Sequence, residues 1–190
     1  MMIRRHFLLC GAAVFLGSRS HAQPMPGMPG MTGPRDTPAT RPARGGPVLP
    51  ESEPLRPLPK LRNTSGRPGA FSGTLVAAPA QLQLAPGNAT EILAYNGVSP
   101  GPLIEVTEGD QVTITFENKI PSQESTIHWH GLPVPADQDG NPMNSVASGS
   151  ARTYSFTLPE ESAGTFWYHP HPEKYTPEQV YRGLAGAFIV

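Results

Sequence analysis

Four histidines carry the chemistry of this sequence. They stand in two pairs, His128-Trp129-His130 and His169-Pro170-His171, each with one residue between the rings. In an extended strand, residues two apart point to the same face. Each pair therefore presents two imidazoles together, while Trp129 and Pro170 face away or lie at a rim. A neutral imidazole offers one nitrogen lone pair to a borderline metal such as copper or zinc. Two on one strand face can hold one ion or flank a pair of ions. The plain alternative is four unrelated histidines, each satisfied by a backbone hydrogen bond, and the identical spacing of the pairs argues against it. Histidines on strands also hold catalytic zinc or non-haem iron, and four imidazoles without a carboxylate disfavour iron only mildly. Spacing alone leaves copper or zinc.

The other two histidines, His6 and His21, lie in a segment with another purpose. The chain opens with Arg4 and Arg5, an apolar run from Phe7 to Gly17, then Ser20-His21-Ala22. A basic end, a short apolar stretch and small residues before a cut make a secretory signal, expected over residues 1–22. The run of about 11 residues falls short of the roughly 20 that span a bilayer, so no transmembrane segment is expected. Arg4-Arg5 followed by Phe7-Leu8 resembles a twin-arginine export signal, a route for folded proteins. The expected destination is the bacterial periplasm or the medium. Losing 1–22 removes Arg4, Arg5 and Arg19 and no acid, which turns a formal charge of −1 into −4. That balance offers no basic stripe for a nucleic acid. Cys10, the one cysteine, would leave with the signal, so the mature chain would hold neither a disulfide nor a thiolate ligand.

The histidines need strands to position them, and the chain supplies these only after a long preamble. Residues 23–69 contain 12 prolines and 7 glycines, too little apolar surface to offset the entropy of ordering, and are expected to form a disordered linker. Met25, Met28 and Met31 recur at every third residue there. Soft thioethers favour Cu(I), so a copper-collecting tail is one reading and a low-complexity linker the plainer one. From Ala70 the pattern is strand after strand. Candidates are Phe71–Ala77, Gln81–Leu84, Glu91–Tyr95, the alternating Val112, Ile114 and Phe116, then Ser125–His130, Arg152–Leu158, Thr165–His171 and Ala185–Val190. Roughly eight short strands with Gly/Pro punctuation predict an all-β, antiparallel sandwich over residues 70–190. A short helix is expected after Thr176 as N-cap, with Pro177 at its first position, Gln179 completing a capping box and Gly183 as its stop.

The flanking residues bear a family likeness. Tyr95-Asn96-Gly97, Pro100-Gly101-Pro102-Leu103-Ile104, Gly109-Asp110-Gln111-Val112, His128-Trp129-His130-Gly131-Leu132, Gly164-Thr165-Phe166-Trp167-Tyr168-His169-Pro170-His171 and Gly183-Leu184-Ala185-Gly186 follow one another in order. This series resembles the first cupredoxin domain of bacterial, laccase-like multicopper oxidases. The resemblance implies a cupredoxin-like (plastocyanin-like) Greek-key β-sandwich over 70–190. It implies copper ligands as well: His128 on the type 2 ion, His130, His169 and His171 on the type 3 pair. These four would be half of a trinuclear cluster that reduces O₂ to water while a small-molecule or metal-ion reductant is oxidised. Asp139 falls where some bacterial members carry an acid near the type 2 copper, a proton relay; the alternative is a turn residue in Asp139-Gly140-Asn141-Pro142. Trp129, Trp167 and Tyr168 are read as packing, and Gly131 and Gly164 as turn residues.

The departure from the family is large. The resemblance implies further, C-terminal cupredoxin domains that bring the remaining cluster histidines and a type 1 copper with a cysteine ligand. No histidine follows His171 and no cysteine follows Cys10. The chain is therefore expected to be a fragment or a truncated product, unable to hold type 1 copper and inactive alone. A stand-alone copper-binding module without oxidase turnover is the alternative.

Overall fold

The computed structural model describes residues 57–190. The signal expected over 1–22, and the linker as far as residue 56, lie outside the described residues. Eight strands follow: β1 (Ala70–Leu82), β2 (Thr90–Tyr95), β3 (Gly101–Glu105), β4 (Gln111–Asn118), β5 (His128–His130), β6 (Ala151–Thr157), β7 (Thr165–His169) and β8 (Gly186–Ile189). They form two four-stranded sheets, ordered β2-β1-β4-β6 and β3-β8-β7-β5. The sandwich is all-β, as the strand pattern and the resemblance both led us to expect, but it is not purely antiparallel. Each sheet holds one parallel pair, β1 with β4 and β3 with β8. The chain returns to each of these partners only after visiting other strands, and such a crossover brings a strand back in the same direction.

Alternation places the core. Val112, Ile114 and Phe116 of β4 are fully buried, with Tyr154 and Phe156 of β6 beside them. Trp129 of β5 reaches across to them from the other sheet. Its ring lies 5.7 Å from that of Tyr154 and 5.4 Å from that of Phe156, with Tyr168 at 6.2 Å and Phe188 at 5.9 Å on its own side. Tyr168 closes against bare backbone: a Cβ at Gly186 would overlap its ring. Its hydroxyl donates to the Pro102 carbonyl at 2.7 Å.

Four sequence expectations change. The candidate Phe71–Ala77 and the start of the candidate Gln81–Leu84 belong to one strand, which ends at Leu82 and pairs with β4 up to Ala77 and with β2 from there on. Pro79 lies past the last β4 partner, where one flank is open and a missing N–H is tolerated. The Pro-Gly-Pro-Leu-Ile block hides the edge strand β3, since prolines mask strand propensity. The expected linker stops short of residue 69. Leu61 N donates to Leu103 O and Leu103 N to Pro59 O, both at 2.8 Å, so residues 59–61 pair with the outer edge of β3. Leu61 also packs on the core. The helix, α1 (Thr176–Tyr181), begins at Tyr175 as N-cap; the Thr176 hydroxyl instead donates to Pro172 O. Gly183 ends it in the left-handed region, φ 120°. Among the described residues no helix is long and apolar enough to cross a membrane.

Removing the Trp129 indole should cost about 3–5 kcal/mol, the range for large-to-small core changes. Denaturant midpoints of Trp129→Ala and Trp167→Ala test this: the first should drop strongly and the second, at a half-exposed ring, by a small fraction of that.

Candidate metal centre

The register of β5 and β7 builds the site. His128 pairs with His169, Trp129 with Tyr168 and His130 with Trp167. Trp129 and Tyr168 fill the core, so period two turns His128, His130, Trp167 and His169 to the other face. His171 follows two residues after His169, and its amide donates to the Thr126 hydroxyl at 2.8 Å. The four predicted histidines come together. Ring centroids of His128 lie 5.6, 5.2 and 5.3 Å from those of His130, His169 and His171. One ligand nitrogen from each of His128, His130 and His169 falls within 4.8 Å of the others. His171 stands beside this triplet, 6.0 Å ring to ring from His169.

Main-chain carbonyls set the protons. Nδ1 of His128 donates to the Asp139 carbonyl at 2.9 Å, and the Asp139 carboxylate is 3.1 Å away. Nδ1 of His169 donates to the Pro170 carbonyl at 2.9 Å. A carbonyl can only accept, so Nδ1 carries the proton in both rings and the neutral tautomer has its lone pair on Nε2. Nδ1 of His130 lies 3.2 Å from Nε2 of His169. Two nitrogens about 2.0–2.1 Å from one ion at a near-tetrahedral angle lie roughly 3.3 Å apart, so the proton between these rings can be exchanged for a metal ion. Nδ1 of His171 is buried with no hydrogen-bond partner. An orphan nitrogen and convergent imidazole nitrogens suit a borderline ion such as copper. Burial, reinforced by the neighbouring His128, His130 and His171, holds the pKa of His169 below its ordinary value against the opposing pull of the Pro170 carbonyl. The ring stays neutral, the form that binds metal.

Two residues read otherwise in the sequence belong here. Trp167 is not core packing like Trp129 and Tyr168. It is 38% exposed and lies against His169 at 4.2 Å and His130 at 4.8 Å, centroid to centroid. Only the register reveals this, and no local pattern encodes it. Gln179 makes no capping box. It is fully buried, accepts from the Ser125 hydroxyl at 2.8 Å and donates to Glu124 O at 2.9 Å. It thereby pins α1, whose Pro177 and Val180 wall a cleft of about 490 Å³ over the histidines. Asp139 lies in the loop after β5, with a carboxylate oxygen 3.1 Å from His128 Nδ1.

The sequence model of the multicopper oxidase family matches residues 77–190. The chain belongs to the multicopper oxidase family. A multicopper oxidase of Staphylococcus aureus is 38% identical over 122 residues, which are 64% of this chain and 27% of that protein. A copper resistance protein A homologue of Pseudomonas syringae pv. tomato is 37% identical over 63% of this chain and 20% of its own length. Among solved structures, the Campylobacter jejuni multicopper oxidase, described as a metallo-oxidase, superposes with a TM-score of 0.70 at 46% identity, over 74% of this chain and 30% of that one. The cupredoxin-like fold is thus that of the family, and this chain spans about a quarter of the length of the curated relatives it matches, 27% for the first of them.

The depressed basicity of His169 has a pH consequence for the metal-free chain. Below the ordinary imidazole value of 6.5, the unfolded chain takes up this proton before the folded one does, so stability falls with pH there and is untouched above it. Melting temperatures followed from neutral to acid pH should drop more steeply in the parent chain than in His169→Gln; parallel profiles would contradict the assignment.

Proposed function

We propose that residues 70–190 form the first copper-binding domain of an exported oxidoreductase and supply half of a trinuclear copper cluster. In this reading His128 holds the type 2 ion, and His130, His169 and His171 hold the type 3 pair. Bound copper would supply the one-electron steps by which O₂ is reduced to water as a small-molecule or metal-ion reductant is oxidised. What this chain does is hold four imidazoles on one face, with Nδ1 of His128 and of His169 occupied by main-chain carbonyls so that Nε2 is the nitrogen left for a metal. Asp139 keeps a carboxylate oxygen at the edge of His128, where it can hold or release a proton. In this reading the remaining ligands, and any type 1 site, would come from other cupredoxin domains. Export through the segment 1–22 belongs to the same reading.

The observation that carries the proposal is the approach of His130 Nδ1 and His169 Nε2 to 3.2 Å between strands, within a triplet spanning 4.8 Å. A stand-alone copper-binding module is the second reading, favoured by three ligand nitrogens, from His128, His130 and His169, already lying within 4.8 Å of one another in this one domain. Both require copper on the histidine face. Titration of the metal-free chain with Cu(II), followed by calorimetry and electron paramagnetic resonance, should show nitrogen hyperfine structure from imidazole and no thiolate charge-transfer band. His128→Ala and His169→Ala should each weaken binding roughly tenfold or more, beyond the lower limit seen for loss of mere supporting groups. Unchanged affinity in the double variant would remove the basis of the proposal.

A further inference from the structure

The contact that orients His128 comes from a loop, and the structure shows what holds that loop. Between β5 and β6 the chain leaves one sheet for the other, and residues 135–141 pass beside the histidine face. Asp139 presents its carbonyl to His128 Nδ1 at 2.9 Å. The residue before it, Gln138, is tied at both of its carbonyl groups. Its main-chain oxygen accepts from Trp129 Nε1 at 3.0 Å. Its side-chain Oε1 accepts from the backbone N–H of Ser155 at 2.8 Å. Ser155 lies in β6, the edge strand of its sheet, and pairs with Thr113 on the inner side. The amide that meets Gln138 is therefore one the ladder leaves free. Trp129 stands between His128 and His130 in sequence and in the core. One residue thus joins the edge of the far sheet to the ring that separates two of the histidines.

The loop's other ties converge on the same stretch. Arg152 of β6 donates to Asp137 O at 2.6 Å, and Asn141 Nδ2 donates to Ala136 O at 3.0 Å. On the far side of Asp139, Gly140 is buried at φ 70°, and a Cβ there would overlap the Ile127 carbonyl. The main chain before and after Asp139 is fixed at close range on both sides.

We propose that Gln138 is a positioning residue for His128: by strapping the loop to Trp129 and to the free edge of β6, it holds the Asp139 carbonyl on Nδ1 and so keeps the lone pair on Nε2. The proposal rests on the copper reading only in what Nε2 is for. The tautomer itself is a property of the metal-free chain. A partner that fixes the non-ligating nitrogen of a histidine commonly matters for metal affinity by roughly 10- to 100-fold, and Gln138 would act one step further out.

The test uses the full chain without metal, well above the ordinary imidazole pKa, with the His128 tautomer read from long-range ¹H–¹⁵N correlations. The parent should show a single Nδ1–H form at His128. Gln138→Leu removes the acceptor and should give a mixture of tautomers there, with the His169 tautomer unchanged. Gln138→Glu keeps an acceptor oxygen for Ser155 N–H and should restore the single form. In a second measurement, Gln138→Leu should bind Cu(II) several-fold more weakly than the parent and Gln138→Glu should not. Should Gln138→Leu fail to fold, Ser155→Pro deletes the same hydrogen bond from the donor side, at an edge position open to proline, and carries the same expectations. A single Nδ1–H form at His128 in the leucine variant, or in its proline substitute, would overturn the proposal. Because this readout needs no metal, it fails or stands apart from the copper assignment, which the His128→Ala titration judges.

Discussion

The pairing of Trp129 with Tyr168 across β5 and β7 is the constraint on which the site depends. Both side chains are fully buried, and a strand that buries one face must present the other. A slip of one residue would turn the whole set over, drawing histidines into the core and pushing an indole into water. The burial of an aromatic pair is worth several kcal/mol, so the register of the histidines is guarded by groups that never touch a ligand. Tyr168 is held in turn by the Pro102 carbonyl and by the absence of a side chain at Gly186. Precision on the metal-facing side is inherited from packing on the other.

Position alone does not make an imidazole a ligand; the proton must also be in the right place. Here the carbonyls of Asp139 and Pro170 occupy Nδ1 of His128 and His169, and each leaves one nitrogen with a lone pair. Burial adds to this by keeping His169 neutral. His130 differs, turning Nδ1 toward His169 instead of away from it. The two rings of one His-X-His pair therefore differ in which nitrogen faces the cluster.

Much of this was legible in the sequence. The spacing of the two pairs put His128 with His130 and His169 with His171 on common faces, and the alternation in β4 marked a core strand. The flanking blocks carried the family. What could not be read depends on partners distant in sequence. Trp167 looks like a core aromatic until its pairing with His130 places it outside. Gln179 fits a capping box by spacing, yet burial against Ser125 and Glu124 is the stronger demand on its amide. β3 was hidden because prolines suit an edge strand and disguise it. Residues 59–61 looked like linker because their composition is that of the segment before them, and only the open edge of β3 explains why they pair.

The histidines belong to one sheet, yet the chain between β5 and β7 travels through the other, where it forms β6. That excursion explains why the loop after His130 lies where it does. To reach β6 it must cross the end of the sandwich beside His128, and on arrival it meets an edge strand with free backbone amides. Arg152 and Ser155, both of β6, take hold of Asp137 and Gln138. Asp139 is thereby set against an imidazole by a strand of the opposite layer. The sandwich connectivity does more than close a core: it makes the orientation of a ring on one sheet depend on the edge of its neighbour, so a disturbance of β6 reaches His128 without passing through any other histidine.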